Sequence, residues 1–329
     1  MVTNKKIFIT GGNGFIGSRV VHNLIEQGYK VRCLLRPTSN TRRIDGLDIE
    51  RVIGDVRDAG SVKVAMRGCT GIIHLAGLSN WADIHSPLMN EVIIQGSSHV
   101  IEAAREHENL PMVFVSSIIG INGTDEPVLL TEKDELTLPR QNEFSYAYAK
   151  QEVEQRCHNA AKLGLPVTIV NPVEVYGPND DDLITAGNLI DFANSPVVMV
   201  PRGGTSVAHV DDVALGIIAA LEKGRPGERY ILGGDNLHFW ELATLTLDIL
   251  GLEKKIINVP NRVLTRMAKT GKKFNLPLPF EPSVIPYAVK YWFADNHKAR
   301  TELKVEFRPA RAVLTPTIQW LQEYNHIRQ

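Results

Sequence analysis

Apolar residues recur along this chain in short runs separated by longer amphipathic stretches. Runs of strand length lie at Lys5 to Thr10, Lys30 to Leu35, Glu50 to Ile53, Gly71 to Leu75, Pro111 to Ser116 and Pro166 to Val170. Helical periodicity fills the intervals, including Val92 to Glu106 and Tyr146 to Leu163. Alternation of this kind predicts an α/β fold with a doubly wound parallel sheet and helices on both faces. Arg229 to Leu232 reads as one more strand, after a helix that starts near Asp211. The stretches 172–204 and 235–329 are less regular and contain many of the prolines. They predict a smaller, partly discontinuous C-terminal substrate-binding domain, with 1–171 as a first domain to which 205–234 returns.

The first run ends in Gly11-Gly12-Asn13-Gly14-Phe15-Ile16-Gly17 and a helical pattern follows at once. Strand, glycine loop and helix in that order predict a dinucleotide-binding Rossmann unit. Gly11 serves the tight turn, Gly14 the close approach to a pyrophosphate, and Gly17 the packing of helix on strand. The spacing here is G-x-x-G-x-x-G, one residue longer in its first interval than G-x-G-x-x-G. Arg36 closes the second run where an NAD-preferring site usually carries an acid, so a ribose 2′-phosphate and NADP(H) are expected, with NAD(H) as the alternative. Arg36 also has the flat shape to stack on an adenine, and Ser39, Arg42 and Arg43 stand ready to add hydrogen bonds or charge. Asp55 and Val56 follow the third run, where the carboxylate either meets the adenine or caps the next helix. Leu75, Ala76 and Gly77 end the fourth in residues that let a cofactor lie against backbone, and His74 just before them reads as a packed strand residue.

Composition narrows the class of ligand. The 329 residues carry a net charge of −1 with acids and bases interspersed, which excludes a nucleic-acid partner driven by a broad field of one sign. Cys33, Cys69 and Cys157 are scattered and make no metal-ligand pair, so free thiols and no metal site are expected. No stretch reaches the roughly 18 apolar residues of a membrane span, and the N-terminal apolar run is too short for a secretory signal. A cytoplasmic protein acting on a small molecule is the expectation. The segment from Arg262 to Phe293 mixes basic and apolar residues; its prolines favour a lid or a packed domain face over a helix on a membrane surface.

Tyr146 and Lys150 stand four residues apart in FSYAYAKQEVE and so share a helix face. An ammonium beside a phenol favours the phenolate, which predicts a Tyr146 pKa lowered from its free value of about 10 and a proton available for exchange with a carbonyl or alcohol.

Taken together, TGGNGFIG at 10–17, GDVRD at 54–58, HLAG at 74–77, VSS at 115–117, YAYAK at 146–150, NPVEVYGP at 171–178 and HVDDVA at 209–214 resemble the extended short-chain dehydrogenase/reductase family of NAD-dependent epimerase/dehydratase type. VRCLLRPTSNTRR and RPGERYILGGDN bring the likeness closest to dihydroflavonol-reductase-like and hopanoid-associated sugar epimerase-like members. The resemblance implies catalysis by Ser117, Tyr146 and Lys150, with Ser116 as the other serine. It also implies contacts of Phe15 and Ile16 with the pyrophosphate and of Pro172 and Val173 with the nicotinamide, and a homodimer. Reduction of a ketone or oxidation of a secondary alcohol is the leading activity. A nucleotide-sugar epimerase or dehydratase holding NAD(P)+ and a dinucleotide-sensing binding protein are the alternatives. Two departures stand out: Ile93-Ile94-Gln95-Gly96-Ser97 lacks a usual asparagine, and Ile118-Ile119-Gly120-Ile121-Asn122-Gly123 is an uncommon sequel to the serines that bears on pocket shape. Ser79-Asn80-Trp81, Glu174, Tyr176, Asn188 and Phe192 are pocket candidates, and Arg202, Arg262 and Arg308 are the arginines available for a diphosphate.

Overall fold

A computed structural model describes residues 5–78, 86–274 and 282–327. Strands β1 (Lys6–Thr10), β2 (Lys30–Leu35), β3 (Glu50–Ile53), β4 (Gly71–His74), β5 (Met112–Val115) and β6 (Val167–Pro172) come first. Then follow β7 (Glu174–Tyr176), β8 (Val197–Pro201), β9 (Gly204–His209), β10 (Arg229–Leu232), β11 (Asn236–His238), β12 (Lys255–Val259) and β13 (Tyr291–Trp292). The helices are α1 (Phe15–Glu26), α2 (Ala59–Met66), α3 (Pro87–Met89), α4 (Gly96–Glu106), α5 (Ser145–Lys162) and α6 (Gly187–Asn194). After them come α7 (Val210–Lys223), α8 (Phe239–Leu250), α9 (Asn261–Phe274), α10 (Ile285–Ala288) and α11 (Ala310–Glu323).

The large sheet is parallel throughout, in the order β10-β6-β5-β4-β1-β2-β3. This is the doubly wound fold that the alternating pattern predicts. The central strands β4, β5 and β6 are buried along their whole length, which is why their sequences read as continuous apolar runs. On the flanks α1 packs on α7, while α2 packs on α4 and α4 on α5. Strand order reverses between β1 and β4, and ligands of such sheets bind outside the carboxyl ends at that point.

The stretches expected to be irregular contain further sheet. β9 pairs antiparallel with β11 and parallel with both β13 and β7, and β8 forms a parallel pair with β12. These strands have two to six residues each, and their partners are distant in sequence, so local periodicity does not reveal them. A second apolar core, with Leu189, Phe192, Val198, Leu242, Val313 and Leu314, joins α6, α8 and α11. Helix α4 begins later than its pattern suggests. The chain enters it from α3 through a π-helical stretch, Asn90–Gln95, on the segment noted above for lacking a usual asparagine.

Candidate active site

The glycine loop joins β1 to α1 at the point where strand order reverses. Gly11 has φ +73°, and a Cβ there would lie 2.7 Å from the Ala76 backbone nitrogen at the end of β4. A Cβ on Gly17 would sit 2.0 Å from the Gly11 carbonyl oxygen, so the first turn of α1 can close on the loop only with glycine at that position. Gly14 is the N-cap, without a side-chain cap, and there is no acidic residue in the first turn. The amides of Phe15, Ile16 and Gly17 therefore open towards an anion at the positive end of the helix dipole. This loop fits a dinucleotide pyrophosphate. Leu75 and Ala76 complete its wall: their amides donate to Thr10 O at 3.0 Å and Thr10 Oγ1 at 3.2 Å.

Arg36 is exposed at the end of β2, and its amide donates to Ser39 Oγ at 3.0 Å. Asp55 does not cap α2. Asp58 does, accepting from the Gly60 amide at 2.9 Å, while Asp55 receives the Arg57 guanidinium at 2.8 to 3.2 Å. That guanidinium holds the Asp55 carboxyl below its ordinary range. Val56 beside it is buried. Arg42 and Arg43 are already engaged. Arg42 pairs with Asp181 at 2.7 Å, and Arg43 meets Asp181 at 3.2 Å, Asp182 at 3.7 Å and the Asn179 carbonyl at 2.9 Å. This clamp ties the rim of the cofactor loop to the segment after β7.

At the carboxyl end of β5 the two serines diverge. Ser116 is buried and donates to Glu154 Oε1, whereas Ser117 is partly exposed and its hydroxyl caps the turn Ile118–Gly120 through the Ile119 amide at 3.3 Å. Across from them the first turns of α5 carry Tyr146 and Lys150 on one face, as their spacing requires. Lys150 is 5% exposed. Its Nζ donates to the Val115 carbonyl at 3.2 Å and stands 5.8 Å from the Tyr146 ring centre; a Cβ on Gly77 would be 3.8 Å from it. Strand ends β4 and β5 and helix α5 thus meet at one place, with Pro172 and Val173 at the end of the neighbouring β6.

The electrostatics run opposite to the lowered Tyr146 pKa expected from the helical pairing. Burial pushes the Tyr146 phenol up to about 12 and the Lys150 ammonium down to about 8, with Glu154 partly offsetting the latter. The ammonium lies over a ring and against a carbonyl, and desolvation outweighs its attraction for a phenolate. His74 behaves as a packed residue. It is fully buried between Thr10 Oγ1 at 2.6 Å and Ser97 Oγ at 2.9 Å, and burial together with Lys150 pushes its pKa down to about 3.

The spacing of residues in sequence does not disclose the network beneath the site. Glu154, one helical step beyond Lys150 and 2% exposed, accepts from Ser116 and from Asn171 Nδ2 at 2.7 Å and pairs with Arg229 at 3.2 Å. Asn171 Nδ2 also donates to the Ser117 carbonyl at 2.8 Å, and Arg229 reaches the Glu132 and Asp134 carbonyls at 2.6 and 3.0 Å. Strands β5, β6 and β10 are pinned to α5 by these four side chains. Only the regular step from Tyr146 to Lys150 to Glu154 signals it in advance.

Of the pocket candidates, Tyr176 and Phe192 are packed in the second core. Asn188 Nδ2 joins Glu174 Oε1 at 3.0 Å and Tyr176 Oη at 2.7 Å, and burial pushes the Glu174 carboxyl up to about 6. Tyr148 donates to the Leu138 carbonyl at 2.6 Å. Arg308 is paired with Asp212 and His209, apart from Arg202, which is tied through its backbone to Asn261. Ser79-Asn80-Trp81 lie outside the described residues. The uncommon sequel to the serines has a packing role: a Cβ on Gly123 would lie 2.5 Å from the Trp292 ring, which stacks on Tyr287 at 6.0 Å. The Tyr287 phenol in turn lies against the Tyr146–Ala147 backbone, pushed above its ordinary range by burial. Among the described residues there is no cluster of three or more potential metal ligands and no helix long and apolar enough to cross a membrane.

This loop and constellation have the elements that a dinucleotide-dependent oxidoreductase requires. Residues 7–233 match the model of the NAD dependent epimerase/dehydratase family, and the chain belongs to that family. It is an NAD(P)-dependent oxidoreductase of the extended short-chain dehydrogenase/reductase type. It is 29% identical to the "Putative dihydroflavonol 4-reductase" of Synechocystis sp., with 98% of this chain and 96% of that protein covered. It is 26% identical to "Sterol demethylase protein B" of Methylococcus capsulatus, covering 96% and 98%. Among solved structures, that of gox2253 superposes with a TM-score of 0.82 at 27% identity over 99% of this chain and 100% of that one.

Proposed function

We propose that this enzyme reduces a ketone of a small apolar molecule, or oxidises the corresponding secondary alcohol, with NADP(H) as its cofactor. The observation that carries the reading is the meeting of Tyr146 and Lys150 beside Gly77 and the carboxyl end of β5, the strand end that Ser117 follows. When bound, the dinucleotide would be the source of the hydride for the carbonyl carbon. Tyr146 gives its phenolic proton to the carbonyl oxygen, and a phenol raised to about 12 stays protonated and ready to do so at ordinary pH. Lys150 stabilises the phenolate left behind, and the Ser117 hydroxyl donates to the same oxygen and orients it. Gly11, Gly14, Phe15, Ile16 and Gly17 hold the pyrophosphate, Asp55 and Val56 the adenine, Leu75, Ala76 and Gly77 the ribose side, and Pro172 and Val173 the nicotinamide.

Arg36 favours the 2′-phosphate because it is exposed at the end of β2, where an NAD-preferring site usually carries an acid. An apolar substrate suits the aromatic packing of Tyr287 and Trp292 beside α5 and the sterol in one relative's name. The engagement of Arg308 with Asp212 disfavours a nucleotide-diphosphate sugar. Residues 1–171 with 205–234 act as the cofactor domain and 172–204 with 235–329 as the substrate domain, in a cytoplasmic homodimer.

The test is titration of the purified protein with NADPH and NADH, then a ketone and alcohol panel read at the nicotinamide absorbance. NADPH should bind more tightly, and Tyr146→Phe should lower turnover by about 10²- to 10⁴-fold with dinucleotide affinity intact. Equal use of NADH would remove the role given to Arg36. Conversion of substrate without net cofactor change would replace the reductase with an epimerase.

A further inference from the structure

Helix α9 presents a face that the hydride chemistry leaves unused. Its 14 residues contain no proline, and Pro260 immediately precedes it, so no proline breaks this helix. Three stripes run along it. Leu264, Ala268 and Gly271 are buried, with Leu264 and Ala268 packed against Ile285, Val259 and Val289. Arg262, Arg266, Lys269 and Lys273, at successive steps of four, three and four, share one exposed side. Between these two stripes Val263, Met267 and Phe274 stand 47%, 38% and 62% exposed.

The helix carries five basic residues, counting Lys272, and no acidic one. No carboxylate pairs with any of them among the described residues. Arg262, Arg266 and Lys269, with Thr265 and Thr270, line an open groove of about 420 Å³. The preceding strand pair exposes Val197, Met199 and Ile257, and Arg202 at its end is hydrogen-bonded through its backbone to Asn261 at the start of α9. A helix that faced only water would pair its cations with carboxylates one turn away. The core of a protein interface would exclude lysine. A row of cations without carboxylate partners among the described residues, beside an exposed apolar stripe, complements the charge and layering of a bilayer surface, phosphates outside and acyl chains beneath.

We propose that α9 docks this enzyme on an anionic membrane surface, lying in the plane of the headgroups. Met267 and Phe274 enter the acyl boundary, and the basic row contacts lipid phosphates. The surface is separate from the proton-transfer site, so its test does not depend on the identity of the substrate.

The experiment is co-sedimentation of the full-length protein with vesicles of phosphatidylcholine alone or mixed with phosphatidylglycerol. Binding should need the anionic lipid, exceed that to phosphatidylcholine at least about tenfold, and fall as salt screens the surface. The combined variant Arg262→Gln, Arg266→Gln, Lys269→Gln and Lys273→Gln should lose about tenfold or more in partitioning and keep its dinucleotide affinity. Met267→Ser with Phe274→Ser should weaken the binding that persists at high salt. Absence of vesicle binding, equal binding to both lipids, or undiminished binding by the neutralised variant would overturn the proposal. So would loss of self-association as the sole effect of these variants, which would assign the face to a second copy of the chain.

Discussion

Lys150→Met should make this protein more stable and inactive. The Lys150 side chain is 5% exposed, and its ammonium donates to the Val115 carbonyl at 3.2 Å. Burial lowers its pKa from 10.5 to about 8. The folded pKa lies below the unfolded one, so between these values the unfolded chain holds a proton that the native protein has released. Stability therefore rises with pH through that window, and below about 8 the full cost of the buried charge is present. A shift of this size corresponds to about 3 kcal/mol at neutral pH. Methionine keeps the apolar stem, loses the charge, and forfeits a hydrogen bond of about 1 kcal/mol. The variant should exceed the wild type by about 2 kcal/mol near pH 7, and the advantage should vanish as pH approaches the unfolded lysine value. Urea unfolding of both proteins, stripped of dinucleotide and measured at several pH values, reads this directly. A less stable variant at neutral pH, or a difference that does not change with pH, refutes the reasoning.

Two further outcomes follow from the site. Glu154→Gln leaves the Arg229 guanidinium without its carboxylate in the interior and should lower stability by about 3 to 5 kcal/mol in thermal or urea unfolding; a loss under about 1 kcal/mol would remove the network's structural role. Gly17→Ala places a methyl 2.0 Å from the Gly11 carbonyl, so the loop must shift. NADPH affinity by fluorescence titration should fall at least about tenfold, and unchanged affinity would contradict the close packing of loop and helix.

The large sheet was legible because its central strands are wholly buried and so leave uninterrupted apolar runs. β11 and β13 left no such trace: with three and two residues they acquire strand character only by pairing with β9. Tyr146 and Lys150 could be joined by helical spacing, but the direction of the Tyr146 shift could not be read, since depth of burial belongs to the assembled fold. Arg42 and Arg43 offer a similar lesson. In sequence they are free cations beside a cofactor strand; in space Asp181, far along the chain, has claimed both. Glu154, Asn171 and Arg229 come from three separate elements and meet only when α5 docks on the sheet.

The neutral imidazole of His74 sets the terms on which any pH–rate profile of this enzyme is to be interpreted. With a pKa near 3 it has finished titrating long before the usual assay range begins, so an inflection near neutrality is not its own. Of the groups at the proton-transfer site, the Lys150 ammonium, lowered by burial to about 8, is the one that would draw an alkaline limb. His74 is here a silent spacer, held neutral between Thr10 and Ser97 while the ammonium of Lys150 nearby carries the titration.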